Sequence, residues 1–338
     1  MPAVSSTPEK VQSSKPGMTN SHEQLQCLQV WGGNRSLDTA VTMPGLNAFV
    51  YSRPYRTTEA KEGEISHGGG DVYYMSSCAT GRIARFLLAD VSGHGVSVSN
   101  IAADLRDLMQ RNMNFLNQSK FMQTLNREFS SLSNAGCFAT SIVVSCWLPE
   151  KEMVICNAGH PRALWYQADQ SRWVFLDAKL DDAEAVKHLG EDAAHPSNLP
   201  LGVLDPARYD QIRVKFLPGD LLLMYTDSVT EARAGGGPLL GEKGLLEFTR
   251  QLDGTRPETI IPALLEMLSA YRQGAEPDDD LSIILLHHNE TRHKPSVAGT
   301  FSHVGRALVR LKELATGDRV GQIYTHTLQR VRASVPLR

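Results

Sequence analysis

The sequence predicts an α+β fold in which helices pack outside two antiparallel sheets. Short β-rich runs recur from Leu46 to His287, and they are too many and too closely spaced for regular βαβ alternation. Long amphipathic patterns interrupt them in only two places, each time as a pair. The composition, 41% hydrophobic and 21% charged over 338 residues, is that of an ordinary globular protein.

Taken in chain order, residues 1–20 are rich in Ser, Pro and Lys and read as disordered. Leu25, Leu28, Val30 and Trp31 mark one short element ahead of residue 40. Strands are expected at 48–56, 72–78 and 82–91. A Gly-rich turn at Gly93–Gly95 then leads into a helix over 97–113 with Ile101, Leu105, Leu108 and Met109 on one face. A second helix carries Phe121, Leu125, Phe129 and Leu132. Strands follow at 139–147, 152–156 and 163–166, and the polar, acidic stretch 177–198 reads as a surface insertion. Further strands at 211–216 and 221–226 precede helices over 243–252 and 258–271, the latter with Ile261, Leu264, Leu265 and Leu268 in a stripe. A last strand spans 281–287. Beyond it, Val304, Leu308, Leu311 and Leu314 share a face of a basic helical extension.

Charge and cysteine usage narrow the setting. Residues 291–338 hold nine Lys/Arg against two acids, a surplus of seven, so the net charge of −3 leaves −10 on the residues before them. No nucleic-acid partner is expected of such a body, because neutralising phosphates takes a clear basic excess. The five cysteines (Cys27, Cys78, Cys137, Cys146, Cys156) are odd in number and form no C-x-x-C pair, which fits a reducing compartment. No apolar run approaches the roughly 20 residues of a membrane span, and the expected location is cytoplasmic.

The most informative stretch runs from Gly69-Gly70-Asp71 to Asp90-Val91-Ser92-Gly93-His94-Gly95. If Thr80-Gly81 is a two-residue hairpin loop, Asp71 falls directly across from Asp90, Tyr73 from Leu88 and Met75 from Phe86. The two carboxylates then share one face with Cβ atoms roughly 5 Å apart. Like charges placed together among apolar neighbours make sense when a divalent cation sits between them. Asp227 and Asp279 add acids where strands meet loops. Hard oxygen ligands without a Cys/His cluster favour Mg²⁺ or Mn²⁺ over zinc.

Those motifs, with Phe138-Ala139-Thr140, Asn157-Ala158-Gly159-His160-Pro161, Leu199-Pro200-Leu201-Gly202, Pro218-Gly219-Asp220, Tyr225-Thr226-Asp227 and Asp279-Asp280-Leu281-Ser282, resemble the PPM (PP2C-like) phosphatases in their bacterial SpoIIE/RsbU branch. The resemblance covers roughly residues 45–288. It implies a β-sandwich flanked by helix pairs and metal-assisted hydrolysis of phosphoserine or phosphothreonine in a signalling protein such as an anti-sigma-factor antagonist. It also implies two Mn²⁺ or Mg²⁺ ions, held by Asp71, Asp90, the Val91 carbonyl, Asp227 and Asp279, with Asp71 and Asp90 at the catalytic centre. Two such cations roughly 3.5–4 Å apart activate a bridging water for in-line attack. The implied layout is an N-terminal segment (1–44), a phosphatase domain (45–289) and a basic helical extension (290–338), with a homodimer left open.

Three departures stand out. Ser228 follows Asp227 where the family usually has Gly, a position where serine is expected to be strained; together with the charged C-terminal extension, this raises the alternative of a catalytically weak binding module that docks a regulatory partner. Val72-Tyr73-Tyr74 lacks the acid common after Gly-Gly-Asp. His160 stands where the eukaryotic branch has an aspartate serving a further metal. His94 and His160 each invite a general-acid role, against the plainer one of fixing a turn.

Overall fold

The computed structural model describes residues 27–33, 35–55, 69–78, 81–93, 96–132, 136–177, 186–188 and 197–291. The expected N-terminal disorder, His94 and the basic C-terminal helix lie outside these residues.

The described chain forms two antiparallel sheets with helices on their outer faces. The first sheet contains β1 (Cys27–Gly33), β4 (Asp71–Cys78), β5 (Ile83–Val91), β6 (Ala139–Trp147), β7 (Glu152–Ala158), β10 (Val186–His188) and β11 (Gln211–Lys215), in the order β1-β4-β5-β6-β7-β11-β10. The second contains β2 (Leu37–Met43), β3 (Leu46–Arg53), β8 (Leu164–Gln167), β9 (Arg172–Phe175), β12 (Leu221–Tyr225) and β13 (Leu281–His287), in the order β2-β3-β13-β12-β8-β9. Helices α1 (Val96–Asn112) and α2 (Gln118–Leu132) cover the first sheet, and α3 (Gly241–Thr249) and α4 (Pro257–Tyr271) the second.

Side-chain alternation along the strands explains how these layers hold together. Tyr73, Met75, Phe86, Leu88, Ile142 and Val144 point between the sheets, where Val50, Leu222, Met224 and Ile284 meet them. Their neighbours Tyr74, Leu87 and Val143 point the other way and pack on Leu105, Met109, Phe121 and Phe129 of α1 and α2. Leu223, Tyr225 and Leu285 do the same against Leu245, Ile261 and Leu264. Central strands buried on both faces read as continuous apolar runs. That is why β5, β6, β12 and β13 were legible within a residue or so.

Three strands were not legible. β1 falls on the short element expected ahead of residue 40, but β2 follows it without a signal and pairs with β3 across Pro44-Gly45, with Met43 opposite Leu46. β2 is an edge strand whose Asp38, Ala40 and Thr42 face solvent, so its apolar signal is halved. β9 is short, and β10 lies within the polar stretch expected to be irregular, paired to the edge of β11 by its backbone. Among the described residues no helix is long and apolar enough to cross a membrane.

Candidate active site

The β4–β5 register is the one the hairpin arithmetic requires: Asp71 pairs with Asp90, Tyr73 with Leu88 and Met75 with Phe86. On its other side Asp90 pairs with Thr140 of β6. Counting back by twos from Tyr73, Leu88 and Ile142 brings Asp71, Asp90 and Thr140 onto the inter-sheet face. The same count from Met224, Ile284 and Val50 brings Thr226, Ser282 and Ser52 there from the second sheet. The inter-sheet layer therefore turns from apolar to polar at one end of the sandwich, and the carboxylate pair sits at that transition.

Asp71 is buried, and its Oδ2 accepts a hydrogen bond from the Thr226 hydroxyl at 2.9 Å, while its Oδ1 is buried without a hydrogen-bond partner. Burial, then the Asp90 and Asp280 charges, hold its carboxyl well above the usual carboxylate range. Asp90 is pushed up to about 8, by burial first and then by Asp227, Asp279, Asp280 and Glu231. Asp227, in a 3₁₀ turn at Asp227–Val229, is raised by burial and by Glu231. The strongest charges acting on these carboxylates are thus all acidic, a field that favours either protons or bound cations. Among the described residues, however, no three His, Cys, Asp or Glu side chains are drawn into a closed ligand group. The acids act on one another through the field rather than as a finished coordination shell.

Val91 ends β5, and its N–H bonds the Gly70 carbonyl at 3.3 Å. Its own carbonyl oxygen lies 2.9 Å from where a Gly70 Cβ would stand, so the Gly-Gly-Asp turn runs closely alongside it. Asp279 is exposed just ahead of β13, near enough to raise Asp90, and its Oδ1 accepts the Asp280 N–H at 2.8 Å.

Sequence reasoning missed Asp280. This buried carboxylate accepts the backbone N–H of Tyr55 and of Gly70, both at 2.5 Å, and that of Asp71 at 3.3 Å. It thereby ties the segment after β3 to the start of β4. A Cβ on Gly69 would overlap the Asp280 carboxyl group. Gly69→Ala should displace this clamp and lower the melting temperature by roughly 5–10 °C, read by thermal unfolding in EDTA; an unchanged midpoint would show the clamp to be unimportant. Glu231 was missed too, since only its place one turn after Asp227 brings its charge to the site.

His160 is buried. Its Nδ1 is 2.8 Å from the Thr140 hydroxyl, and its backbone N–H and C=O are both bonded by the Asn157 side chain. Burial pushes its pKa down to about 3, so the ring is neutral near pH 7 and fixes the Asn157–Pro161 turn beside Thr140. Ser228 is also unlike the expectation: it lies in the 3₁₀ turn without positive φ, so serine is not strained there. Its carbonyl accepts the Arg272 guanidinium at 2.6 Å.

Comparison with known proteins follows the same outline. Residues 80–289, more than half of the chain, match the family model described as Stage II sporulation protein E (SpoIIE). The chain is 28% identical over 170 residues to the phosphoserine phosphatase RsbP of Bacillus subtilis (strain 168), a match spanning 49% of this chain and 37% of that protein. In structure it resembles the RsbU and RsbW domains of a Mycobacterium tuberculosis protein, with TM-score 0.58, 19% identity and coverage of 77% of this chain and 64% of the other. It also resembles the SiaA-PP2C domain of Pseudomonas aeruginosa, with TM-score 0.52, 16% identity and coverage of 71% and 85%. At these identities the structural likeness is one of fold, here PP2C-like, whereas the family model follows the sequence itself from the β4–β5 turn to the end of β13; the chain belongs to the SpoIIE family.

Proposed function

We propose that the protein is a metal-dependent protein-serine/threonine phosphatase that hydrolyses phosphoserine or phosphothreonine on a signalling protein. The observation that carries this reading is the cross-strand Asp71–Asp90 pair, two half-buried or buried carboxylates with an unsatisfied Oδ1 on Asp71 and only acids acting strongly on them. Such a donor set fits Mn²⁺ or Mg²⁺, hard cations that take oxygen ligands. Asp71 and Asp90 would hold two ions, with the Val91 carbonyl, Asp227 and Asp279 as further donors. When bound, the cations supply charge neutralisation at phosphorus and a water acidic enough to ionise near neutral pH.

The chain's own residues do the rest. Asp71 is oriented from the second sheet by Thr226, and its backbone is held by Asp280. Asp90 is lodged between Asp71 and Thr140, with Thr140 held by the neutral His160. The neutral His160 serves in this reading to hold the turn beside Thr140 rather than as a proton donor. A phosphorylated anti-sigma-factor antagonist is the substrate type we favour on the motif resemblance; the RsbP relative, a phosphoserine phosphatase, supports the phosphoserine part of that reading. Because Ser228 carries no backbone strain, the binding-module alternative keeps only its other motive, the charged C-terminal extension.

The test is phosphate release from p-nitrophenyl phosphate and from a phosphoserine peptide, with Mn²⁺, Mg²⁺ or EDTA. Release with either metal and none in EDTA is expected. Absence of hydrolysis under all three conditions would overturn the reading.

A further inference from the structure

The hydroxyl of Thr226 occupies an unusual position: it is the point at which the second sheet touches the carboxylate pair of the first. Thr226 is fully buried. Its backbone N–H bonds the Ser282 carbonyl at 3.0 Å, and its Oγ1 accepts the Ser282 N–H at 3.0 Å. A threonine hydroxyl has one proton to give. Two acceptors lie within reach, the Asp71 Oδ2 at 2.9 Å and the Ser282 carbonyl at 3.4 Å. The carbonyl already takes the Thr226 N–H, and the Asp71 oxygen is the nearer acceptor, so the proton goes to Asp71.

This has a directional consequence. With Oδ2 engaged by Thr226, the oxygen left over is Oδ1, which is buried and has no hydrogen-bond partner. The Ser282 hydroxyl is in turn held by Ser52 at 2.9 Å, so the Thr226–Ser282 unit has little room to turn away. We infer that Thr226 is a positioning residue that, by engaging Oδ2, fixes the rotamer of Asp71 so that Oδ1 is the oxygen presented to a divalent cation. The inference rests on the metal-dependent reading above and deepens it. It gives the second sheet a direct part in metal binding although Thr226 itself touches no ion.

The test compares Mn²⁺ binding to the full chain for wild type, Thr226→Ser, Thr226→Val and Thr226→Ala, by the electron paramagnetic resonance signal of free Mn²⁺, beside the unfolding midpoint of each in EDTA. Thr226→Val keeps the shape and removes the proton, and should weaken Mn²⁺ binding roughly 10–100-fold, the range for partners that orient metal ligands. Thr226→Ser restores the donor and should bind within about threefold of wild type, since it re-forms the same bond. Equal affinity in the Val and wild-type proteins would overturn the inference, whatever the change in midpoint. If the Val variant does not fold, Thr226→Ala decides by the same ratio to Thr226→Ser. Wild type that binds no Mn²⁺ at all would instead overturn the metal reading itself.

Discussion

Asp90→Asn is expected to abolish metal-dependent phosphate release while leaving a folded protein at least as stable as wild type. Asp90 lies between Asp71 and Thr140 on the inter-sheet face, and Asp227, Asp279, Asp280 and Glu231 all oppose its ionisation. An amide of the same shape removes a negative charge from a field that is already acidic, so folding loses little and the unpaired repulsion is relieved. Metal binding, by contrast, loses an anionic oxygen at its centre. Changes to groups that merely orient a ligand cost about 10–100-fold, so losing the ligand itself should cost at least about a hundredfold. Phosphate release from a phosphoserine peptide with Mn²⁺, beside a thermal unfolding curve in EDTA, gives both readings. Turnover near the wild-type level would remove Asp90 from the catalytic centre; a collapse of the fold would show that its role is structural.

That Asp90 can be singled out follows from how much of this site is written in strand periodicity. A two-residue hairpin fixes a register, and the register fixes which side chains face one another; the sequence alone therefore pairs Asp71 with Asp90. The same counting by twos from Met224 reaches Thr226, so its inward hydroxyl was available to sequence reasoning and was passed over. Asp279 and Asp280 show where such counting runs short. Adjacent acids at the start of a strand point opposite ways, and only the packing of β13 against β3 shows that Asp280 enters the buried layer with Ser282 and Ile284 while Asp279 stays exposed. Glu231 is legible only once the 3₁₀ turn at Asp227 is known. The His160 environment depended on a contact between β6 and the turn after β7, for which the sequence carries no local signal. Edge strand β2 is obscured for a related reason: half of its pattern, Asp38, Ala40 and Thr42, answers to solvent rather than to a core.

The raised carboxyls also predict how stability depends on pH, with a decline in the absence of metal that bound metal largely cancels. In the metal-free protein Asp90 titrates near 8, against 3.8 ordinarily, so the folded state keeps a proton that the unfolded chain has lost throughout the interval between those values. Where the folded state binds more protons than the unfolded, stability falls as pH rises. The fall begins near pH 4, continues to about pH 8 and then levels, because above that the carboxylate is ionised in both states. One pKa unit corresponds to about 1.4 kcal/mol. Asp71 and Asp90 repel each other and share their protons, so the pair titrates as a unit; we expect a net decline of about 3 kcal/mol between pH 5 and 8, a drop of roughly 5–10 °C in the unfolding midpoint. Mn²⁺ should offset most of this decline. Cations compete with protons for the same oxygens, and saturating metal at a hundred times its dissociation constant adds about 2.7 kcal/mol to the folded state. The Mn²⁺-induced rise in midpoint should therefore be small at pH 5.5 and large at pH 8. Asp90→Asn, which carries no proton at that position, should flatten the EDTA curve and lose most of the Mn²⁺ response. A wild-type midpoint in EDTA that is level from pH 5 to 8 would mean that the carboxylates are relaxed into solvent when metal-free. A Mn²⁺ shift of equal size at every pH would place the metal elsewhere than on the Asp71–Asp90 pair.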